Sequence, residues 1–216
     1  MESNWASGHL QVIRTLMERS AVYRRALAPV MTANGVLGAV AAGVGLAARI
    51  RAPRAFAGYW MAVALAAVAG SFLLARRQAL KEAEPFWSPP TRRVAQALLP
   101  PLFCGLALGL PLFAGQEGLG GAAAAGPGLF WLPLVWIALY GCSLHAAGFF
   151  MPRGMKLFGW ALVLASGILG ALRALGAFAW VEPWRFGHAV MGLVFGLAHL
   201  AYGVYLYFTE RRGNEA

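Results

Sequence analysis

The chain has 216 residues, of which 60% are hydrophobic and 12% are charged. Because a soluble domain carries about 25% charged residues, this composition excludes an ordinary water-soluble globule, a disordered protein and a disulfide scaffold. The formal net charge is +10. The lysines and arginines lie in short stretches between apolar segments, which favours an anionic membrane surface over nucleic acid as their binding partner. We therefore expect a membrane protein that does not bind nucleic acid.

The first 27 residues predict an amphipathic helix on the cytoplasmic side of the membrane. Apolar residues recur there at helical spacing, with arginines elsewhere on the helix: Leu10, Val12, Ile13, Leu16 and Met17. Such a helix lies in the headgroup layer or packs beneath the bundle as a cap, and the sequence leaves both possibilities open.

Six apolar segments follow, and each matches the roughly 20 residues that a helix needs to cross the hydrocarbon layer. They occupy residues 28–48, 57–75, 97–114, 128–150, 155–175 and 187–208. We expect an all-α fold, namely a polytopic membrane protein with a six-transmembrane-helix bundle over residues 28–208. The amphipathic cytoplasmic helix, residues 1–27, precedes this bundle, and a cytoplasmic tail, residues 209–216, ends the chain.

The lysines and arginines are shared unequally between the two sides of this bundle. With the N-terminus inside, the cytoplasmic segments hold thirteen bases and the external segments hold five. Cytoplasmic loops carry an excess of Lys and Arg, so we expect both termini to lie in the cytoplasm. The lipid bilayer is the expected partner of the spans, and a second copy of the chain or another membrane protein remains possible.

The sixth segment carries a stripe of glycines and histidines. Its members are spaced four, four, three and four residues apart, so they share one helix face: His188, Gly192, Gly196, His199 and Gly203. The fourth segment repeats this pattern on a smaller scale: Gly141, His145 and Gly148. Glycine faces let another backbone approach closely. We expect both stripes to pack on a neighbouring helix, with His145 and His199 pointing into the bundle.

Thiols and imidazoles at similar depth raise the possibility of a cofactor. At about 1.5 Å per residue, four side chains lie roughly 8–13 Å from the cytoplasmic ends of their spans. They are Cys104, Cys142, His145 and His199. Two thiolates and two imidazoles can form a tetrahedral metal site, and the two histidines alone could be axial ligands of a haem. The competing interpretation, which we prefer, is core packing without any cofactor.

Arg173 lies near the outer end of the fifth segment. The sequence leaves three positions open for its side chain. It could snorkel to the interface, pair with Glu182 on the same surface, or face a cavity and bind an anionic headgroup there. Tryptophans and tyrosines near the span ends, Trp60 and Trp184 among them, are typical of interfacial belts.

The sequence favours a function without catalysis. It contains no Asp, and no Glu lies within a predicted span, so the usual groups of phosphoryl transfer and of proton-coupled transport are missing. The leading hypothesis is binding or passage of a small apolar or amphiphilic ligand, or support of a membrane partner. The alternatives are a haem- or metal-binding redox protein that uses intramembrane histidines, and a structural subunit that oligomerises through its glycine stripes.

The pattern Ile-Arg-x-x-Met-Glu-Arg at residues 13–19 resembles a group of small bacterial inner-membrane proteins of unknown function. Further similar stretches are Leu139-Tyr-Gly141, Gly196-Leu-Ala-His199 and Arg211-Arg212-Gly213. The resemblance implies a bacterial inner-membrane location and a histidine at the position of His199. It implies no counterpart of Cys142 or His145, which counts against the four-ligand metal site.

Overall fold

The structure is a computed structural model that describes residues 26–81, 83, 85–114, 122–151 and 153–214. Over these residues the chain is helical and contains no strand. The predicted amphipathic helix of residues 1–27 lies outside the described residues, apart from its last two positions.

Six helical spans make up the fold. The first five are α1 (Ala26–Ala47), α2 (Pro53–Lys81), α3 (Pro89–Phe113), α4 (Ala122–Ala147) and α5 (Arg153–Ala174). The sixth consists of α6 (Pro183–Met191), a π-helical segment (Gly192–Ala198) and α7 (His199–Asn214). All six are long and apolar enough to cross a membrane, which confirms the predicted six-transmembrane-helix fold.

Proline marks the start of several of these helices. Pro53, Pro89 and Pro183 each begin a helix, where a missing amide donor costs nothing and the fixed φ suits a helix. The helix α3 therefore starts before the predicted residue 97. It also continues through internal prolines at positions 100, 101 and 111.

The outer surface of the bundle is apolar. Large side chains on several spans are more than half exposed, for example Leu65, Phe103, Leu157 and Trp160. A surface of this kind is unfavourable in water and favourable in the hydrocarbon of a bilayer. The least buried spans are α2 and α3, while α4 is the most buried. The chain is thus a multi-pass integral membrane protein organised around α4 and the sixth span.

The glycine stripe of the sixth span packs against α1. A Cβ atom on Gly196 would lie 2.8 Å from the backbone nitrogen of Ala39, and one on Gly35 would lie 2.6 Å from that of Leu200. Gly203 meets Thr32 in the same way, at 2.9 Å from its backbone nitrogen. Residue numbers fall along one helix as they rise along the other, so the two spans run antiparallel with their backbones in direct contact.

The second stripe packs against α5. A Cβ atom on Gly141 would lie 2.7 Å from the carbonyl oxygen of Gly159, and one on Gly148 would lie 2.9 Å from the backbone nitrogen of Lys156. Both glycine stripes are therefore occupied inside the chain. Each stripe makes its close backbone contact within the chain, and oligomerisation through the stripes stays a hypothesis.

Candidate functional site

His188 lies in the closed core between α1, α2 and α6 and is 0% exposed. Trp60 Nε1 donates a hydrogen bond of 3.0 Å to His188 Nδ1, and His188 Nε2 lies 3.2 Å from the carbonyl oxygen of Ile50. Because a carbonyl only accepts, the ring carries its proton on Nε2 and accepts on Nδ1. Both imidazole nitrogens are thus used within the chain.

Aromatic side chains enclose the His188 ring. The centroid of Phe56 lies 4.8 Å away and that of Tyr59 lies 6.1 Å away. Gly45 makes room for the ring, since a Cβ atom there would overlap it. Trp60 is only 1% exposed, so it belongs to this core cluster. The sequence-based prediction that Trp60 lies in an interfacial belt is therefore wrong.

His199 lies deeper in the bundle and is 1% exposed. Its Nδ1 donates to the carbonyl oxygen of Val194 at 2.8 Å, and its Nε2 lies 2.9 Å from the hydroxyl of Tyr140. In the neutral ring Nε2 accepts the tyrosine proton, so this tautomer is opposite to that of His188. Val194 belongs to the π-helical segment, whose wider turn ends directly before His199.

The four predicted metal ligands do not form one site. Cys104 and Cys142 are exposed on their helices, while His199 is closed in the core. His145 lies against Phe149 and Trp160, with ring centroids 5.4 Å away in both contacts. Within the described part of the chain, no three His, Cys, Asp or Glu residues come together as a metal would require. Equal depth along the helices does not bring side chains together when they point in different directions.

The core also does not fit a haem held between His145 and His199. A ligand to iron needs a free imidazole nitrogen, and both nitrogens of His199, like those of His188, already have hydrogen-bond partners. His145 Nδ1 is buried without such a partner among the described residues, so of these three histidines only His145 has a nitrogen available to a metal. The observed geometry corresponds to core hydrogen bonding, which is expensive to break in an apolar interior.

The two cysteines yield a direct prediction. We expect the free energy of unfolding of the double variant Cys104→Ala, Cys142→Ala to lie within about 0.5 kcal/mol of that of the parent protein, since both side chains lie on the surface. Its content of iron, zinc and copper should also be unchanged. Thermal denaturation in detergent and elemental analysis measure the two quantities, and loss of a stoichiometric metal in the variant would contradict the structure.

The end of the bundle away from the termini is rich in arginine. We call it the arginine end, and its members are Arg49, Arg51, Arg54, Arg173 and Arg185. It comprises the α1–α2 connection, the ends of α3 and α5, and the start of α6. Guanidinium groups there face aromatic rings, an arrangement that the ring quadrupole stabilises.

Trp184 is contacted by two of these guanidinium groups. The Cζ atoms of Arg51 and Arg185 each lie 5.2 Å from its ring centroid. Trp184 Nε1 donates to Glu182 Oε2 at 3.1 Å, and Arg185 Nε contacts the same oxygen at 2.8 Å. Glu182 therefore fixes both the indole ring and one of its two guanidinium neighbours.

Two further arginines at this end contact aromatic rings. Arg173 Cζ lies 5.0 Å from the ring centroid of Phe130, and Arg54 Cζ lies 5.9 Å from that of Phe113. The predicted pairing of Arg173 with Glu182 is not formed, since Glu182 pairs with Arg185 instead. Across residues 26–214, as far as they are described, Arg51, Arg54 and Arg173 have no carboxylate partner.

Comparisons with models of known protein families, with curated proteins and with solved structures give no match. The function of the chain is therefore inferred from the chemistry of its core and of its arginine end.

Sequence reasoning missed the aromatic partners of both histidines. Trp60 and His188 are 128 residues apart, and Tyr140 and His199 are 59 apart, so no local spacing joins them. The available signal was a buried polar atom on an aromatic side chain inside an apolar span, since such atoms usually find a partner. The pair Glu182 and Arg185 has the spacing i, i+3 and was visible in the sequence.

Proposed function

We propose that the chain is a non-enzymatic protein of the bacterial inner membrane that binds an amphiphilic ligand at its arginine end. The observation that carries the proposal is the set of guanidinium groups that lie over aromatic rings without a described carboxylate partner: Arg51, Arg54 and Arg173. An amphiphile with an acidic head would give these guanidinium groups an anionic partner, while its apolar part would lie along the exposed spans.

The core supports this location of the ligand. His188, His199 and Ser166 use their polar atoms in hydrogen bonds to neighbouring side chains or to backbone carbonyls. Among the described residues, His145 Nδ1 and the hydroxyl of Tyr202 are the buried polar side-chain atoms without a hydrogen-bond partner. A hydrogen-bonded core of this kind holds the helices in place and offers few groups to a ligand. The arginine end, in contrast, has charged donors that are already oriented by aromatic rings.

We place both termini in the cytoplasm, because thirteen of the bases fall on their side and five on the other. A fluorescent protein fused to the C-terminus should then fluoresce, and alkaline phosphatase fused there should be inactive. Phosphatase fused after residue 50, in the α1–α2 connection, is the matched control and should be active. Active phosphatase at the C-terminus would reverse the proposed orientation.

The binding function is tested on the purified protein. After exchange into fresh detergent, solvent extraction and mass spectrometry should find an amphiphile in near-stoichiometric amount on the folded chain. A heat-unfolded sample of the same preparation controls for lipid that is carried over by the detergent. Equal amounts in the folded and unfolded samples would contradict a binding function.

A further inference from the structure

Two guanidinium groups lie over the ring of Trp184, and this group has the properties of a headgroup site. We propose that Arg51 and Arg185, positioned by Trp184, bind the phosphate of an anionic phospholipid, and that Glu182 is an internal anion that limits the affinity of this site. The inference rests on the proposed function and specifies its ligand class.

The position of Trp184 in the bundle is suited to a headgroup. Trp184 is 6% exposed and lies at the beginning of α6, at the level of the bundle where a span meets the headgroup layer. Its ring holds the guanidinium groups of Arg51 and Arg185 at 5.2 Å each. A guanidinium over a ring face uses no N–H group in that contact, so its N–H groups can still donate to phosphate oxygens.

The charge around Trp184 favours an anion. Among the described side chains that contact it, two guanidinium groups and the carboxylate of Glu182 leave one positive charge. A phosphodiester carries one negative charge and therefore neutralises the group. A zwitterionic headgroup brings an additional cation next to the arginines, which lowers its affinity. We therefore infer an anionic phospholipid as the occupant in preference to a zwitterionic one.

The carboxylate of Glu182 and a phosphate would compete for Arg185. The side chains of Arg185 and Glu182 are 59% and 52% exposed, and ion pairs with this exposure are weak. A headgroup phosphate can take the place of the Glu182 carboxylate on Arg185 without disturbing the core. Removal of the carboxylate charge should accordingly strengthen lipid binding.

The experiment is a titration of the detergent-solubilised full chain, followed by native mass spectrometry. The probes are phosphatidylglycerol, phosphatidylcholine of the same acyl composition, and inorganic phosphate as competitor. We expect phosphatidylglycerol to bind more tightly than phosphatidylcholine. One arginine near an anionic membrane surface contributes binding free energy that corresponds to about a fivefold change in affinity. Arg51→Gln should therefore weaken phosphatidylglycerol binding about fivefold. By the same reasoning Glu182→Gln should tighten it about fivefold.

The matched control is Arg93→Gln, an exposed arginine of α3 at the opposite end of the bundle, which should leave the affinity unchanged. Equal affinity for the two lipids, or equal effects of Arg51→Gln and Arg93→Gln, would overturn the inference. Displacement of the lipid by millimolar inorganic phosphate would also overturn it, because the ligand would then be a free anion. If the folded chain retains an anionic amphiphile that is not a phospholipid, such as a fatty acid, the proposed function stands and only this inference fails.

Discussion

Replacing Gly196 by alanine should lower the free energy of unfolding by about 1–3 kcal/mol, the usual cost of overpacking a closely packed contact. The new Cβ atom would lie 2.8 Å from the nitrogen and 2.9 Å from the Cα atom of Ala39. These are backbone atoms of α1, so relief requires the two spans to move apart. Thermal unfolding followed by size-exclusion chromatography in detergent measures the loss.

The same helix pair offers a matched control. A Cβ atom on Gly43 of α1 meets nothing within 4 Å, so Gly43→Ala should leave stability unchanged or raise it slightly through better helix propensity. If Gly196→Ala is as stable as Gly43→Ala, the contact between α1 and the sixth span is not formed as described. If Gly196→Ala instead converts an oligomer into folded monomers, the glycine stripe forms an interface between chains.

Replacing His199 by alanine should destabilise the bundle by about 2–5 kcal/mol, the range for removing a large side chain from a closed core. The variant also removes the hydrogen-bond partners of Tyr140 and Val194. His199→Phe preserves the ring volume and loses only these bonds, so its cost should be about 1–3 kcal/mol. Denaturation curves of the two variants separate the contribution of volume from that of hydrogen bonding.

Tyr140→Phe provides a test of the pair itself. If the hydroxyl of Tyr140 donates to His199, the two substitutions Tyr140→Phe and His199→Phe act on the same bond. Their combined cost should then be smaller than the sum of the single costs, as a double-mutant cycle measures. Additive costs would show that the two side chains are not coupled in the folded protein.

The sequence was sufficient to predict the spans. In a protein with so little charge, an apolar run of about 20 residues has few possible structures other than a membrane-spanning helix. The spacing of Gly192, Gly196 and Gly203 also indicated a face for close helix contact. It could not indicate which helix would be the neighbour. That neighbour is α1, since the first and last spans meet from the contact of Thr32 with Gly203 to that of Gly45 with His188.

The side-chain partners could not be predicted, because depth along a helix does not determine the direction of a side chain. Cys142 precedes His145 by three residues, yet the thiol is exposed while His145 Nδ1 is buried. The π-helical segment before His199 was a further unpredicted feature. It places the carbonyl of Val194 against the imidazole, an effect that no spacing rule for an α-helix includes.

The central claim is that ligand binding resides at the arginine end and not at the core histidines. The most direct measurement compares the amphiphile retained per folded chain by His199→Phe and by the double variant Arg51→Gln, Arg185→Gln. Both are prepared from the same membranes, and the folded fraction of each is determined first. The account predicts that His199→Phe retains as much amphiphile as the parent protein, while the arginine variant loses most of it. Retention by the arginine variant together with loss from His199→Phe would contradict it.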